Sequence, residues 1–234
     1  MTVALLVVAS LGTAVALAPS FDSPLILSTS NDERLAQDRS FDSPLNLSPS
    51  KDERLAQDRP RWPEGATILV WIDARSAPPG ADALVERAMM TWTAAAGRRF
   101  RLDRTPTRDA ASLRVLFVGG EHVYGEAQPR VDRRTGAIVE ADVHINADIA
   151  STGDRLDQRI ILYLTALHEL GHALGLPHTD DFSTIMYSFR RPDDGERYFG
   201  AYRRRLRSAD EVGSATATGL APADVEALRA LYGR

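Results

Sequence analysis

The sequence of 234 residues contains no cysteine. A disulfide framework and thiolate metal ligands are therefore excluded, and a transition-metal site has to be built from His, Asp or Glu. Histidine is scarce as well, with five residues in the whole chain. The lack of cysteine assigns no compartment, because many exported bacterial proteins also lack it.

The sequence also lacks an excess of basic residues. Its 28 Lys and Arg residues are outnumbered by 32 Asp and Glu residues, which gives a formal net charge of -4. We therefore expect no nucleic-acid partner. Hydrophobic residues make up 44% of the chain and charged residues 26%, which is typical of a soluble globular protein.

The first 18 residues, MTVALLVVASLGTAVALA, contain no charged side chain. An apolar stretch that ends in small residues is typical of a secretory signal peptide, so residues 1–18 predict a secreted or extracytoplasmic protein. No Lys or Arg precedes the apolar stretch, and two other interpretations stay open. One is an uncleaved membrane anchor, since the stretch is near the lower length limit for spanning. The other is a buried helix.

Residues 20–59 are an internal duplication of 20 residues, SFDSPLILSTSNDERLAQDR followed by SFDSPLNLSPSKDERLAQDR. Each copy is rich in Ser, Asp and Pro and poor in aromatic residues, so it cannot bury enough apolar surface to offset chain entropy. Two copies are also too few for a solenoid. We expect residues 19–60 to be a disordered linker or pro-segment, and a paired recognition motif is the alternative.

Residues 61–234 have the patterns of one folded domain of the α+β class. Helical spacing of apolar residues predicts a packing helix over 81–96, a long site-bearing helix over 154–174 and a C-terminal amphipathic helix that Pro222 begins. The chain between the last two helices is predicted to be irregular. Strands of a twisted mixed sheet are predicted at 66–72, 98–104, 112–118, 122–127 and 137–146.

The stretch HELGHALGLPH, residues 168–178, holds three of the five histidines. His168 and His172 are four residues apart on the predicted helix, so both side chains lie on one face and can reach one zinc ion. Glu169 follows the first histidine, where it can contact a water on the metal without coordinating the metal. Gly175 allows a sharp turn that returns His178 as a third ligand. The fourth position of this single catalytic Zn²⁺ is then left to water.

The spacing matches the metzincin pattern HExxHxxGxxH, and Met186 in STIMY stands where that clan has its Met-turn. Within the clan the sequence resembles the matrixins most closely. Thr179 follows the third histidine, where matrixins usually have Ser. YGEAQP (124–129) and DVEALRALYG (224–233) are similar to matrixin segments. The resemblance covers most of 61–234 and none of 19–60.

This resemblance implies a metzincin-like catalytic domain and a zinc-dependent endopeptidase, acting as a monomer on protein or peptide substrates. Glu169 would be the general base, and Met186 would form a hydrophobic floor beneath the histidines. An extended peptide would bind antiparallel to the strand at Gly125, Glu126 and Ala127. Ca²⁺ is compatible with the family, but no residue pattern in the sequence supports it.

The sequence departs from the matrixin pattern at two points. Matrixins hold a structural zinc through an HxD pair and two further histidines. Here His144 stands at one of these positions, Glu126 stands at another, and the HxD pair is missing. We therefore expect no complete structural zinc site, and His144 can equally be a strand residue that faces solvent. The cysteine that keeps vertebrate matrixins latent is also absent, so the enzyme is either made active or blocked by another group in 19–60, such as an Asp carboxylate.

Arginines are clustered in YFGAYRRRLR (198–207), at positions 203, 204, 205 and 207. They are either a basic rim that binds acidic substrate or polyanion, or a solvated loop whose charge nearby acidic residues balance. Two other functions remain as alternatives to catalysis. The first is a dead protease that only binds metal or peptide, against which the retained Glu169 argues. The second is a polyanion-binding protein with a structural zinc, which would need a fourth protein ligand such as Asp180 or Asp181.

Overall fold

The computed structural model describes residues 59–119, 124–148, 154–191 and 193–233. The predicted signal peptide and the duplicated segment lie outside these described residues. No helix within them is both long enough and apolar enough to cross a membrane.

Five strands form one mixed sheet with the order β2-β1-β3-β5-β4. Neighbouring strands are parallel, except that β4 runs antiparallel to β5. The α+β class and the mixed sheet are therefore confirmed. Strand β4 lies at the edge of the sheet. The strands are β1 (Ala66–Ile72), β2 (Phe100–Arg104), β3 (Leu113–Val118), β4 (Gly125–Val131) and β5 (Ile138–Asn146).

Among the described residues, four α-helices accompany the sheet: α1 (Ala81–Ala96), α2 (Arg155–Ala173), α3 (Asp194–Arg203) and α4 (Pro222–Tyr232). Helices α1 and α2 pack against each other in the core. The buried indole of Trp92 in α1 donates to the Leu167 carbonyl of α2 at 2.8 Å. One turn away, the Thr91 and Tyr163 hydroxyls lie 3.1 Å apart. These contacts fix the helix that carries the histidine motif.

Residues from both ends of the domain hold the C-terminal end of α2. The Trp62 indole donates to the Ala173 carbonyl at 2.9 Å, and the Tyr232 hydroxyl donates to the Leu174 carbonyl at 2.7 Å. The last carbonyls of a helix have no partner within the helix, so these two buried donors satisfy groups that would otherwise be unpaired. They also set the direction in which the chain leaves α2.

The structure differs from the sequence-based prediction in two places. Strand β4 continues to Val131, whereas the pattern predicted a strand over 122–127 and a turn near Pro129. Pro129 is tolerated because β4 is an edge strand, where a missing N–H costs no ladder bond on the open side. The second difference is helix α3, which lies in a segment predicted to be irregular. Two glycines and several charged residues obscured its helical spacing.

Candidate active site

Helix α2 begins at a side-chain cap, and a glycine with a left-handed backbone conformation follows its C-terminal end. The Asp154 carboxylate accepts from the backbone N–H groups of Leu156 and Asp157, both at 2.8 Å. At the other end, Gly175 has φ 95°, a conformation that L side chains rarely adopt. A Cβ at Gly175 would also collide with the Pro60 carbonyl oxygen. The chain therefore turns back after α2, and His178 returns to the two histidines on the helix.

The three motif histidines converge on one point. Their Nε2 atoms are 3.0 Å apart for His168 and His172, 3.1 Å for His172 and His178, and 3.2 Å for His168 and His178. Within the described part of the chain, this is the one group of three or more potential metal-ligating residues. The structure thus brings together all three residues that the sequence predicted as metal ligands.

Hydrogen bonds orient two of these imidazole rings. Nδ1 of His168 donates to the Ile185 carbonyl at 2.6 Å, and Nδ1 of His172 donates to the Leu176 carbonyl at 2.8 Å. A carbonyl oxygen only accepts, so Nδ1 holds the proton and the Nε2 lone pair faces the centre of the triad. Backbone carbonyls orient metal-binding histidines in this way.

The histidines are held in the neutral form that binds metal. Burial lowers the pKa of His168 to about 3, and the neighbouring His172 adds to this effect. Burial, with the charge of His178, lowers the pKa of His172 to about 4. The pKa of His178 is also lowered, first by burial and then by the positive charge of Arg190. All three rings are therefore available as ligands at neutral pH.

The geometry of the triad fits zinc. Two nitrogens bound tetrahedrally at the usual zinc distance lie about 3.3–3.4 Å apart. The observed separations of 3.0 to 3.2 Å are close to that value. Three nitrogen lone pairs that face each other without a proton between them repel, and a cation at their centre removes this repulsion. The donor set of three imidazoles and no thiolate is one that catalytic zinc sites use.

Glu169 lies next to the triad in a mostly apolar environment. Its side chain is 6% exposed, and no hydrogen bond or ion pair reaches its carboxylate from the described residues. Burial raises the pKa of Glu169 to about 8, with a smaller contribution from the charge of Glu126. Gly125 at the start of β4 abuts this side chain, since a Cβ there would be 2.7 Å from Glu169 Cγ. The edge strand and the side chain of Glu169 are therefore in close contact.

Met186 lies buried against the site helix, at 2% exposure. A Cβ at Gly171 would collide with Met186 Sδ and lie 3.1 Å from Trp92 Cζ2, so a larger residue there would force the Met186 side chain to shift. The neighbouring Ile185 N–H donates to the buried Asp224 carboxylate at 3.0 and 3.1 Å. Helix α4 thus fixes the turn that carries Met186. No role for Asp224 was predicted from the sequence, although it stands in the C-terminal segment 224–233.

Glu126 and Ala127 lie on the edge strand as predicted, and Glu126 is the Cα partner of His144 on β5. Glu126 is exposed, and His144 is half-buried. Ala127 packs against the core. The two residues that the resemblance to matrixins assigns to structural-zinc positions are thus adjacent in the sheet.

The four clustered arginines at 203, 204, 205 and 207 differ in their surroundings. Arg203 pairs with Asp154 and Asp157 at the start of α2. Arg204, Arg205 and Arg207 are exposed. A different charged cluster was not predicted from the sequence. It consists of Arg190, Arg191, Arg197 and the buried Asp194. Local sequence offered no signal for it, because charged residues in a polar segment have the composition of a solvated loop.

Comparison with known proteins agrees with this site. Residues 74–199 match the family model described as "Matrixin". Metalloendoproteinase 1 of Glycine max is 28% identical over 190 residues, which are 74% of this chain and 53% of that protein. Macrophage metalloelastase of Oryctolagus cuniculus is 32% identical over 113 residues, covering 44% of this chain and 22% of that protein. Interstitial collagenase of the same organism is 30% identical over 112 residues, covering 45% and 23%.

A mixed sheet, a helix with two of three converging histidines and a buried glutamate are the features expected of a metzincin-type metal site. The family match covers more than half of the chain, and the chain belongs to the matrixin family. The predicted resemblance is therefore confirmed. The chain spans about half or less of the length of these relatives.

Proposed function

We propose that the protein is a zinc-dependent endopeptidase that hydrolyses peptide bonds in proteins. The observation that supports this most directly is the pairing of two features at one place. Three Nε2 atoms lie within 3.2 Å of one another, and a buried carboxyl group follows the first of the three histidines in sequence. Family membership implies the same activity.

His168, His172 and His178 would hold the zinc ion. Bound zinc supplies Lewis-acid polarisation of a carbonyl and lowers the pKa of water toward 7. Glu169 would take the proton of the attacking water and return it to the leaving amine. Its raised pKa suits this exchange, because a group that gains and loses a proton works best when its pKa is near the working pH. A nearby cation would lower that pKa again.

The open edge of β4 would bind the substrate backbone. Within the described residues β4 pairs only with β5, so its other edge presents unpaired N–H and C=O groups. An extended peptide can add to such an edge as a further strand. Gly125, Glu126 and Ala127 would make these contacts, and because Gly125 lies against Glu169, the bound peptide would lie beside the proposed base. Met186 would support the histidines from below without contacting substrate.

The proposed organisation of the chain has three segments. Residues 1–18 would direct export or anchor the protein, residues 19–60 would be a linker or pro-segment, and residues 61–234 would be the catalytic domain. The catalytic domain would act as a monomer outside the cytoplasm, without a nucleic-acid partner. A dead, peptide-binding copy is the second candidate, and the retained Glu169 disfavours it. The engagement of Arg203 in ion pairs disfavours a polyanion-binding surface.

Glu169→Ala in the full chain tests the proposed function. We expect the variant to keep its zinc and to cleave an unfolded protein substrate about 10²- to 10⁴-fold more slowly, the usual contribution of a general base. Glu226→Ala on the exposed face of α4 is the matched control and should leave cleavage unchanged. Zinc in both proteins with no cleavage by the parent would instead support the binding role.

A further inference from the structure

A second concave feature adjoins the histidine site. A pocket of about 330 Å³ lies between the chain that follows His178 and the start of α3. Its charged lining consists of Arg190, Arg191, Arg197, Asp180 and Asp194, and two aromatic rings complete it. Three cationic groups face two carboxylates, so the pocket has a positive balance.

One buried carboxylate shapes this pocket. Asp194 is 1% exposed, and its Oδ2 accepts from the Tyr187 hydroxyl at 2.9 Å. The same oxygen accepts from the backbone N–H groups of Arg190 at 3.0 Å and Arg191 at 2.9 Å. Asp194 is thus occupied in fixing the backbone from which the two arginines extend. Ordering them in this way lowers the entropy cost when they bind a ligand.

The arginine side chains have donors to spare. The pair formed by Arg190 and Asp180 leaves their side chains 64% and 75% exposed, and exposed pairs of this kind are weak. Arg197 lies over the Phe182 ring at 4.9 Å and forms ion pairs with Asp194 at 3.6 Å and with Asp193 at 4.0 Å. Both ion-pair distances exceed hydrogen-bond length, so the N–H groups of Arg197 remain available. Arg191 forms no ion pair with any residue that the structure describes.

The pocket lies close to the metal site. Asp180 is two residues beyond His178, and the intervening Thr179 forms a backbone bridge with Tyr187. On the other side, the Phe189 ring lies 5.7 Å from the Tyr187 ring and 6.5 Å from the His168 imidazole. A peptide held at the histidines can therefore place a neighbouring side chain in the pocket.

We propose that this arginine pocket binds an acidic side chain of the peptide substrate and so makes the enzyme prefer substrates with Glu or Asp near the cleaved bond. The inference rests on the proposed function. Guanidinium groups suit carboxylates because they present several N–H donors in a planar fork. The preference resides in Arg191 and Arg197, because the contacts of Arg197 with Asp193 and Asp194 are longer than hydrogen bonds, whereas Asp180 engages Arg190 at closer range.

The experiment compares peptides that differ by one charge. Each peptide of a matched set has Glu or Gln at one position flanking a common cleavable sequence, and all are C-terminally amidated. The full chain is tested as the parent, as Arg191→Gln, Arg197→Gln and the double variant, and as Arg134→Gln, an exposed arginine in the turn after β4. The readouts are kcat and KM for cleavage, and the Kd of each peptide for zinc-loaded Glu169→Gln protein, which should bind without cleaving.

We expect Glu to be preferred over Gln by roughly tenfold at one or more positions, in KM and Kd rather than kcat. The double variant should lose this preference but still cleave the Gln peptides, and Arg134→Gln should keep it. Equal use of Glu and Gln at every position, or a preference that survives the double variant, would overturn the proposal. A preference confined to peptides with a free C-terminal carboxylate would overturn it too, in favour of a terminal-carboxylate site.

The two proposals fail in different ways. If no peptide is cleaved, the proposed function fails, while the ratio of Kd values for Glu and Gln peptides still tests the pocket. If peptides are cleaved and bound without regard to charge, the proposed function stands and the pocket proposal fails.

Discussion

Two buried carboxyl groups of this protein differ in almost every respect except their burial. Glu169 on α2 is 6% exposed, and Asp194 at the start of α3 is 1% exposed. Burial raises the pKa of Glu169 to about 8, helped by the charge of Glu126. Burial also acts to raise the pKa of Asp194, but hydrogen bonds from Arg191, Arg190 and Tyr187 outweigh it, and the pKa lies below its ordinary value.

The difference separates a reactive group from a structural one. The charged form of a buried carboxyl group is unfavourable when no described residue donates a hydrogen bond to it. Glu169 therefore favours its protonated form. A buried carboxylate with three donors is stable in its charged form and fixes the backbone around it. Asp194 therefore stabilises a loop, whereas Glu169 is left ready to exchange a proton.

The helices that carry these residues show the same contrast. Helix α2 has twelve buried residues among its 19 and a side-chain cap at Asp154. Helix α3 has three buried residues among ten and no side-chain cap. Packing thus fixes α2 along most of its length, while a few polar tethers and aromatic contacts hold α3. A metal site needs the first kind of support, and a substrate-selecting segment can rely on the second.

The largest expected effect concerns Glu169 in the metal-free protein. Its pKa rises from 4.5 to about 8 on folding, so its contribution to stability is fully present below pH 4.5 and is lost as the pH rises through 8. Glutamine cannot ionise. Between pH 5 and pH 8, the free energy of unfolding of Glu169→Gln should therefore rise relative to the parent by about 3 kcal/mol.

Urea unfolding of both proteins after chelator treatment measures this difference. Zinc-loaded protein is the control, because a nearby cation lowers the pKa of the carboxyl group and should shrink the pH dependence. A difference between the two metal-free proteins that does not change with pH would contradict the contrast between the two carboxyl groups.

Asp194→Asn should lower the free energy of unfolding, whereas Glu169→Gln should raise it. The amide keeps the shape of the side chain but replaces a charged acceptor of three hydrogen bonds with a neutral one, and the free energy of unfolding should fall by about 2 kcal/mol. Chemical unfolding at pH 7 measures the loss. Asp193→Asn, at the neighbouring position whose side chain is 62% exposed, is the matched control and should change little. Equal effects of the two changes would show that the hydrogen bonds of the Asp194 carboxylate make no specific contribution to stability.

The smallest expected effects come from one glycine in each helix. Gly171→Ala should destabilise the protein by about 1 kcal/mol and lower the rate of cleavage, because the added Cβ meets Met186 and Trp92. Gly200→Ala in α3 meets only the Arg204 guanidinium, at 3.6 Å, and should stabilise the protein by about 0.5–1 kcal/mol through helix propensity. Thermal unfolding and peptide cleavage measure both. A stabilising Gly171→Ala would show that α2 is less tightly packed than its burial indicates.

Much of the candidate site could be predicted from the sequence because its geometry is local. His168 and His172 are one helical turn apart whatever the rest of the chain does, and Gly175 permits the turn that returns His178. Alternation and helical spacing located the strands and three of the four helices, since these periods reflect burial on one face. The absence of cysteine by itself restricts the metal ligands to imidazole and carboxylate groups.

Other properties were decided only by the tertiary structure, because they depend on groups that are distant in sequence. The raised pKa of Glu169 comes from its burial in the fold and from the charge of Glu126 on β4. The turn that carries Met186 is held by a hydrogen bond from the Ile185 N–H group to Asp224 on α4. The arginine pocket exists because Asp194 gathers the backbone of Arg190 and Arg191 around one oxygen. Spacing along a chain records only which residues share a face, whereas desolvation and hydrogen-bond partners depend on what that face meets.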